Sequence, residues 1–106
     1  MPTITKAGVP QTVITTFDVT PGTCADLQEL LQDAYAKVIS KQHGFIGGAV
    51  HVNDAETRVC SYSQWQSRED FQAMLRIPEM RRRNREINEL CKGFAPCMYD
   101  VVSTYD

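Results

Sequence analysis

A chain of 106 residues, 42% hydrophobic and 23% charged, has room for one compact domain around one core. Eleven basic and thirteen acidic residues leave a net charge of −2. That balance argues against disorder and against the net basic surface that phosphate backbones require, so nucleic acid is not an expected partner. No apolar run is long enough to span a bilayer, so no membrane role is expected either. The first residues, Met1-Pro2-Thr3-Ile4-Thr5-Lys6, lack the apolar stretch of a secretory signal, and a cytoplasmic location is the default expectation.

Residues 1–10 carry Pro2, Gly8 and Pro10 without periodicity and read as an N-terminal arm, with a single domain over residues 11–106. Gln11–Val19 is rich in β-branched residues and predicts a strand, broken by Thr20-Pro21-Gly22. Leu27, Leu30, Leu31, Ala34, Tyr35, Val38 and Ile39 then recur at helical spacing and make one apolar stripe. Thr23 with Asp26 predicts the start of that helix and Gly44 its stop. Phe45–Val52 and Thr57–Trp65 predict a hairpin around Asn53-Asp54-Ala55-Glu56. Ser67 followed by Glu69 and Asp70 is a second cap signal, opening a short helix with Phe71, Met74 and Leu75 inward. Pro78 suits the first turn of a further helix to about Leu90, with Met80 and Ile87 facing the core. Gly93 and Pro96 read as its end, and Cys97–Thr104 as the last strand.

The order β-α-β-β-α-β describes a ferredoxin-like α+β sandwich with a four-stranded antiparallel sheet. Its helices cover one sheet face. The other face still carries apolar side chains, so a second copy is expected to cover it as a homodimer.

Cys24, Cys60, Cys91 and Cys97 form no C-x-x-C pair and have no histidine at zinc spacing, so no metal site is expected. They read as reduced, although Cys91 and Cys97 are near enough in sequence to pair under oxidation. Six of the eleven basic residues lie between Arg68 and Glu86, diluted by four acids. Such a run reads as a solvated helix face or as the source of one arginine for a pocket. His51 is a candidate general base or an edge residue of its strand. His43, at a helix end, reads as a dipole-favoured cation. Asp18 and Asp100 sit oddly in strands and read as edge or rim residues.

The stretch Ser61-Tyr62-Ser63-Gln64-Trp65-Gln66-Ser67-Arg68-Glu69-Asp70-Phe71, with its strand-end tryptophan, serine cap, acidic pair and aromatic before a proline-broken helix, resembles the antibiotic biosynthesis monooxygenase family. Gly44-Phe45 fits the family's entry to the second strand, and the likeness runs over about residues 11–104. The resemblance implies a dimeric α+β barrel with a pocket in each subunit. It also implies oxidation of a phenolic, quinol- or anthrone-like aromatic by molecular oxygen, with no cofactor. Such chemistry needs a dry pocket, donors for an oxyanion and a proton acceptor.

By the same resemblance Trp65 is the strand-end tryptophan, supplying an indole N–H and an apolar wall. Ser61 stands where quinone-forming members carry an asparagine, and Phe71 where some carry a tyrosine. Arg82 and Arg85 are both candidates for the helix arginine of the pocket. Trp65, Ser61, Arg82, Arg85 and His51 are therefore the candidate catalytic residues. Phe71, Met74 and Tyr62 are candidates for binding a small aromatic or apolar ligand. A haem-degrading branch of the superfamily has a histidine where this chain has Asn84, which cannot take its place as an iron ligand. A ligand-binding or stress-associated module without catalysis, or an isomerase without oxygen chemistry, are the competing readings.

Overall fold

The computed structural model describes residues 10–105. The arm read over residues 1–10 therefore lies, except for Pro10, outside the described residues. The strands are β1 (Gln11–Asp18), β2 (Phe45–Val52), β3 (Arg58–Trp65) and β4 (Gly93–Tyr99); the helices are α1 (Pro21–Lys37), α2 (Arg68–Arg76) and α3 (Pro78–Leu90). The sheet is antiparallel throughout, in the order β2-β3-β1-β4, which is the ferredoxin-like α+β arrangement.

Local chemistry accounts for most boundaries. Ser67 Oγ accepts the Asp70 backbone N–H at 3.1 Å, so α2 starts where the cap signal lies. Ile77 is extended ahead of Pro78, as a residue before proline prefers, and this separates α2 from α3. The start of α1 differs from the expectation. Thr20 is its N-cap and Pro21 opens the helix, because a first-turn position needs no donated N–H and proline's fixed φ is already helical. The helix closes in a short 3-10 turn, Ile39–Lys41, before Gly44 turns the chain at a φ of 84°. A Cβ at Gly44 would run into the Asp70 carboxylate, so loop and α2 approach each other closely here.

The last strand is also shifted. β4 covers Gly93–Tyr99, not Cys97–Thr104. It pairs with β1 at the sheet edge, with Thr15 opposite Pro96. An edge strand tolerates a proline because one side of its backbone has no ladder to complete.

Alternation along the strands sorts side chains between the two faces. Val13, Phe17, Val59, Ser61, Ser63 and Trp65 are buried under the helices. By register, Ile14, Cys60, Tyr62, Ala49, His51, Cys97 and Tyr99 share the opposite face. An irregularity between Phe45 and Gly47 keeps β2 in phase with β3 beyond it.

Two apolar clusters fill the space under the helices. One gathers Val13, Ala34, Val38, Ile39, Trp65, Phe71, Met74 and Met80; the other gathers Phe17, Val19, Cys24, Leu27, Leu31, Val59 and Ile87.

Candidate active site

A cavity of about 240 Å³ lies between the sheet and the helices, at the seam of the two clusters. Phe17, Leu31 and Ile87 border it from one cluster, and Ala34, Ile39, Phe71, Met74 and Met80 from the other. Its size exceeds the ~150 Å³ that accommodates a benzene molecule in an apolar protein interior, so one or two fused rings is the natural guest. Phe94 and Pro96 of β4, which are exposed, and Asn84 of α3 also line it, and this gives the cavity a mouth between α3 and β4.

The polar groups of the cavity are few and converge. Tyr35, near the C-terminal end of α1, reaches across to β3, where its hydroxyl lies 2.6 Å from Ser61 Oγ. Thr15, Ser63 and Asn84 are the other polar lining residues. Burial pushes the Tyr35 phenol above its ordinary value, and the Ser61 and Ser63 hydroxyls beside it only partly oppose this. Tyr35 is therefore protonated at neutral pH. Each of the Tyr35 and Ser61 hydroxyls carries one proton, and the bond between them uses one, so the pair itself keeps a single donor for a guest.

Space for that reach comes from β2. A Cβ at Gly48 would lie 2.7 Å from a Tyr35 ring carbon, so the missing side chain is what lets the ring lie against the strand.

Trp65 is fully buried and stands outside the cavity lining. Its indole N–H donates to Ser63 Oγ at 3.0 Å, two residues back along β3. Phe45 and Phe71 meet its ring edge-on, at centroid distances of 5.4 and 5.8 Å. The tryptophan thus orients a cavity hydroxyl and props the wall at Phe71, and its N–H is committed to Ser63.

The other sequence candidates divide. Ser61, Phe71 and Met74 come together at the cavity. Tyr62 and His51 lie on the opposite sheet face, because odd and even residues of a strand point to opposite sides and both are out of phase with Ser61 in the register. His51 is exposed there, across from Cys60. Arg82 faces outward and pairs with Glu86 at 3.0 Å, one helical turn on. Arg85 is on the surface beside the cavity mouth, in an open groove with Arg81, Asn84, Asn88 and Phe94. Neither arginine lines the cavity itself. Tyr35 escaped the sequence reading because its spacing made it one more member of an apolar stripe. The available signal was a hydroxyl within that stripe, on the helix that packs over a serine-bearing strand.

Among the described residues no group of three His, Cys, Asp or Glu side chains could hold a metal ion, and no helix is long and apolar enough to cross a membrane. All four cysteines are free thiols.

The family model described as antibiotic biosynthesis monooxygenase matches residues 10–85. A search of curated protein sequences finds no match. Among solved structures, a variant of SnoaB, a cofactor-independent oxygenase from Streptomyces nogalater, superposes with a TM-score of 0.81 at 16% identity, covering 92% of this chain and 97% of that one. A monooxygenase from the ActVA-Orf6 gene of Streptomyces coelicolor, in complex with nanaomycin D, gives 0.81 at 22% identity, over 92% and 91% of the two chains. A conserved protein from Methanosarcina mazei gives 0.78 at 14% identity, over 86% and 91%. At these identities the likeness establishes a shared fold.

Proposed function

The chain belongs to the antibiotic biosynthesis monooxygenase family, and from that premise we propose that it oxidises a small phenolic or quinol-type aromatic with molecular oxygen, without a bound cofactor. The observation that carries the reading is the Tyr35–Ser61 hydroxyl pair in a mainly apolar cavity. An electron-rich ring fits the apolar walls of Phe71 and Met74. Its hydroxyl meets the one free donor of the pair, which favours the phenolate over the phenol.

The proton of the substrate hydroxyl leaves through the mouth to water, since Tyr35 is protonated and is, among the described residues, the one ionisable side chain bordering the cavity. The phenolate's ring carbon then forms a bond to O2 and, on protonation, becomes a ring hydroperoxide. Loss of the hydrogen on that carbon as a proton cleaves the O–O bond, leaving a carbonyl on the ring and releasing the second oxygen as water. The substrate gives up four electrons, which reduce both oxygen atoms. In this reading Ser61 and Tyr35 touch the oxyanion and Trp65 acts through Ser63. His51, Arg82 and Tyr62 take no part.

The test is oxygen uptake by the purified protein over a panel of hydroquinones, naphthols and anthrones. Tyr35→Phe is expected to lower kcat about a hundredfold, the scale of losing one oxyanion donor. Trp65→Phe is expected to lower it less, by releasing Ser63. The rate should also rise with pH through the substrate's own phenolic pKa. Absence of turnover across the panel by a correctly folded protein would overturn the oxygenase reading.

A binding module without catalysis is the second reading. It is favoured by the lack of a neutral-pH base among the described residues that line the cavity. A naphthol that raises Tm and is recovered unchanged under air would select it.

The functional unit in either case is proposed to be a homodimer. On the sheet face away from the helices Ile14 and Tyr62 are half-buried, and Tyr99 is 49% exposed. Light scattering is expected to give twice the 12.0 kDa chain mass. A cytoplasmic location accords with four free thiols.

A further inference from the structure

Four arginines crowd one stretch of α3, and they fall into two kinds. Arg83 is almost covered: it donates to Asp33 at 2.8 Å and to Glu79 at 2.9 Å, tying α3 to α1. Arg82 pairs with Glu86. Arg81 and Arg85 form no ion pair among the described residues. One turn apart, they stand on the same side of the helix.

With Asn84 and Asn88 they wall an open groove of about 440 Å³ that also touches Phe94. Asn84 and Phe94 line the cavity as well, so groove and cavity meet at a shared wall. A guest whose ring fills the cavity would present the end remote from Tyr35 to two unneutralised guanidinium groups and two amides.

We propose that Arg81 and Arg85 form an anion subsite at the cavity mouth, and that the natural substrate is an aromatic carrying a carboxylate on the side opposite its reacting hydroxyl. This rests on the reading of the cavity as an aromatic pocket and adds the substrate's charge to it. Guanidinium groups match a carboxylate with paired N–H donors, and a carboxamide side chain adds a donor without charge. The apolar cavity alone does not distinguish acids from neutral rings, since the carboxylate would stand outside it in water. The subsite supplies the distinction and selects acids. Because both arginines are exposed, the gain is modest and salt-dependent: about threefold from each, or about tenfold together at low ionic strength.

The experiment compares 2-naphthol with 6-hydroxy-2-naphthoic acid, binding each to the intact protein by titration calorimetry. Wild type, R81Q/R85Q and the charge-matched R58Q/R76Q are measured at low and high salt. The acid is expected to bind wild type and R58Q/R76Q about tenfold more tightly than the naphthol, and to lose that advantage in R81Q/R85Q and in high salt. The naphthol should bind all three alike. Equal binding of the two probes to wild type, or an advantage that survives R81Q/R85Q, overturns the subsite and leaves the aromatic pocket standing. Failure of both probes to bind wild type overturns the pocket and the subsite with it.

Discussion

The Trp65 cluster and the Leu27 cluster are pressed between the same sheet and overlapping helices, yet they solve the packing problem differently. Around Leu27 the side chains are mostly aliphatic, and Leu27, Cys24 and Val59 are wholly closed off. Around Trp65 the core is aromatic and sulfur-bearing, with Phe45, Trp65 and Phe71 meeting edge to face. Branched aliphatic chains interdigitate and close. Edge-to-face rings have fixed outlines, and of these three only Phe71 reaches the cavity, so the other two back its wall. The cavity opens at the junction, with the Ser61 and Ser63 hydroxyls on the strand that supplies the tryptophan. The cavity thus takes five buried wall residues from the Trp65 cluster and three from the Leu27 cluster, while Leu27 itself stands clear of it.

That contrast can be broken most directly by truncation. Leu27→Ala is expected to cost about 3–4 kcal/mol, and Met74→Ala, which borders space already present, about 2 kcal/mol. Denaturant titration measures both, and equal costs would remove the distinction between the clusters. Of the two, Met74→Ala should admit larger rings.

A smaller effect comes from Tyr35. Its phenol titrates above its ordinary value of about 10 because it is buried. Above pH 10 the unfolded chain releases that proton while the folded chain keeps it, so this part of the stability is present below pH 10 and is lost as the pH rises toward the folded-state value. Tyr35→Phe is expected to cost about 1 kcal/mol at pH 7 through the lost Ser61 bond. The gap to wild type should narrow as the pH rises above 10, and Tm measured in parallel reads it.

The smallest effect belongs to the surface link between the helices. Arg83, and then Lys37, hold the Asp33 carboxyl below the usual carboxylate range. The contribution is present above the ordinary carboxylate pKa and fades as acid protonates Asp33 in the folded state. Arg83→Gln should lower Tm by a few degrees at pH 7, with the difference shrinking below pH 4.

Much of the fold is legible in the sequence because its signals are local. The Leu27–Ile39 stripe, the Ser67 cap and the Pro78 break each act within one or two turns, and α1, α2 and α3 follow from them. β4 is the exception. Gly93 and Pro96 carry stop signals that hold for an interior strand, and only its place at the sheet edge cancels them.

The site was legible in part for the same reason. Ser61, Phe71 and Met74 lie on faces that alternation and helical spacing already orient inward. The partner of Ser61 lies twenty-six residues away on a helix, and no local rule pairs them. The arginines defeat sequence reasoning differently. Asp33 neutralises Arg83 from another helix, so which members of the run keep a free charge is a tertiary fact.

Gly48 carries a consequence of its own. The atoms absent from its side chain set the chemistry of a residue on another element, since a methyl there would crowd the Tyr35 ring and also approach the Tyr62 carbonyl at 3.1 Å. A Gly48→Ala exchange would act as a chemical edit made at a distance. It would leave every hydroxyl of the cavity in the sequence while forcing Tyr35 to shift from Ser61. The identity of one strand residue thus decides whether the Tyr35 and Ser61 hydroxyls can meet, before any residue of the cavity lining is changed.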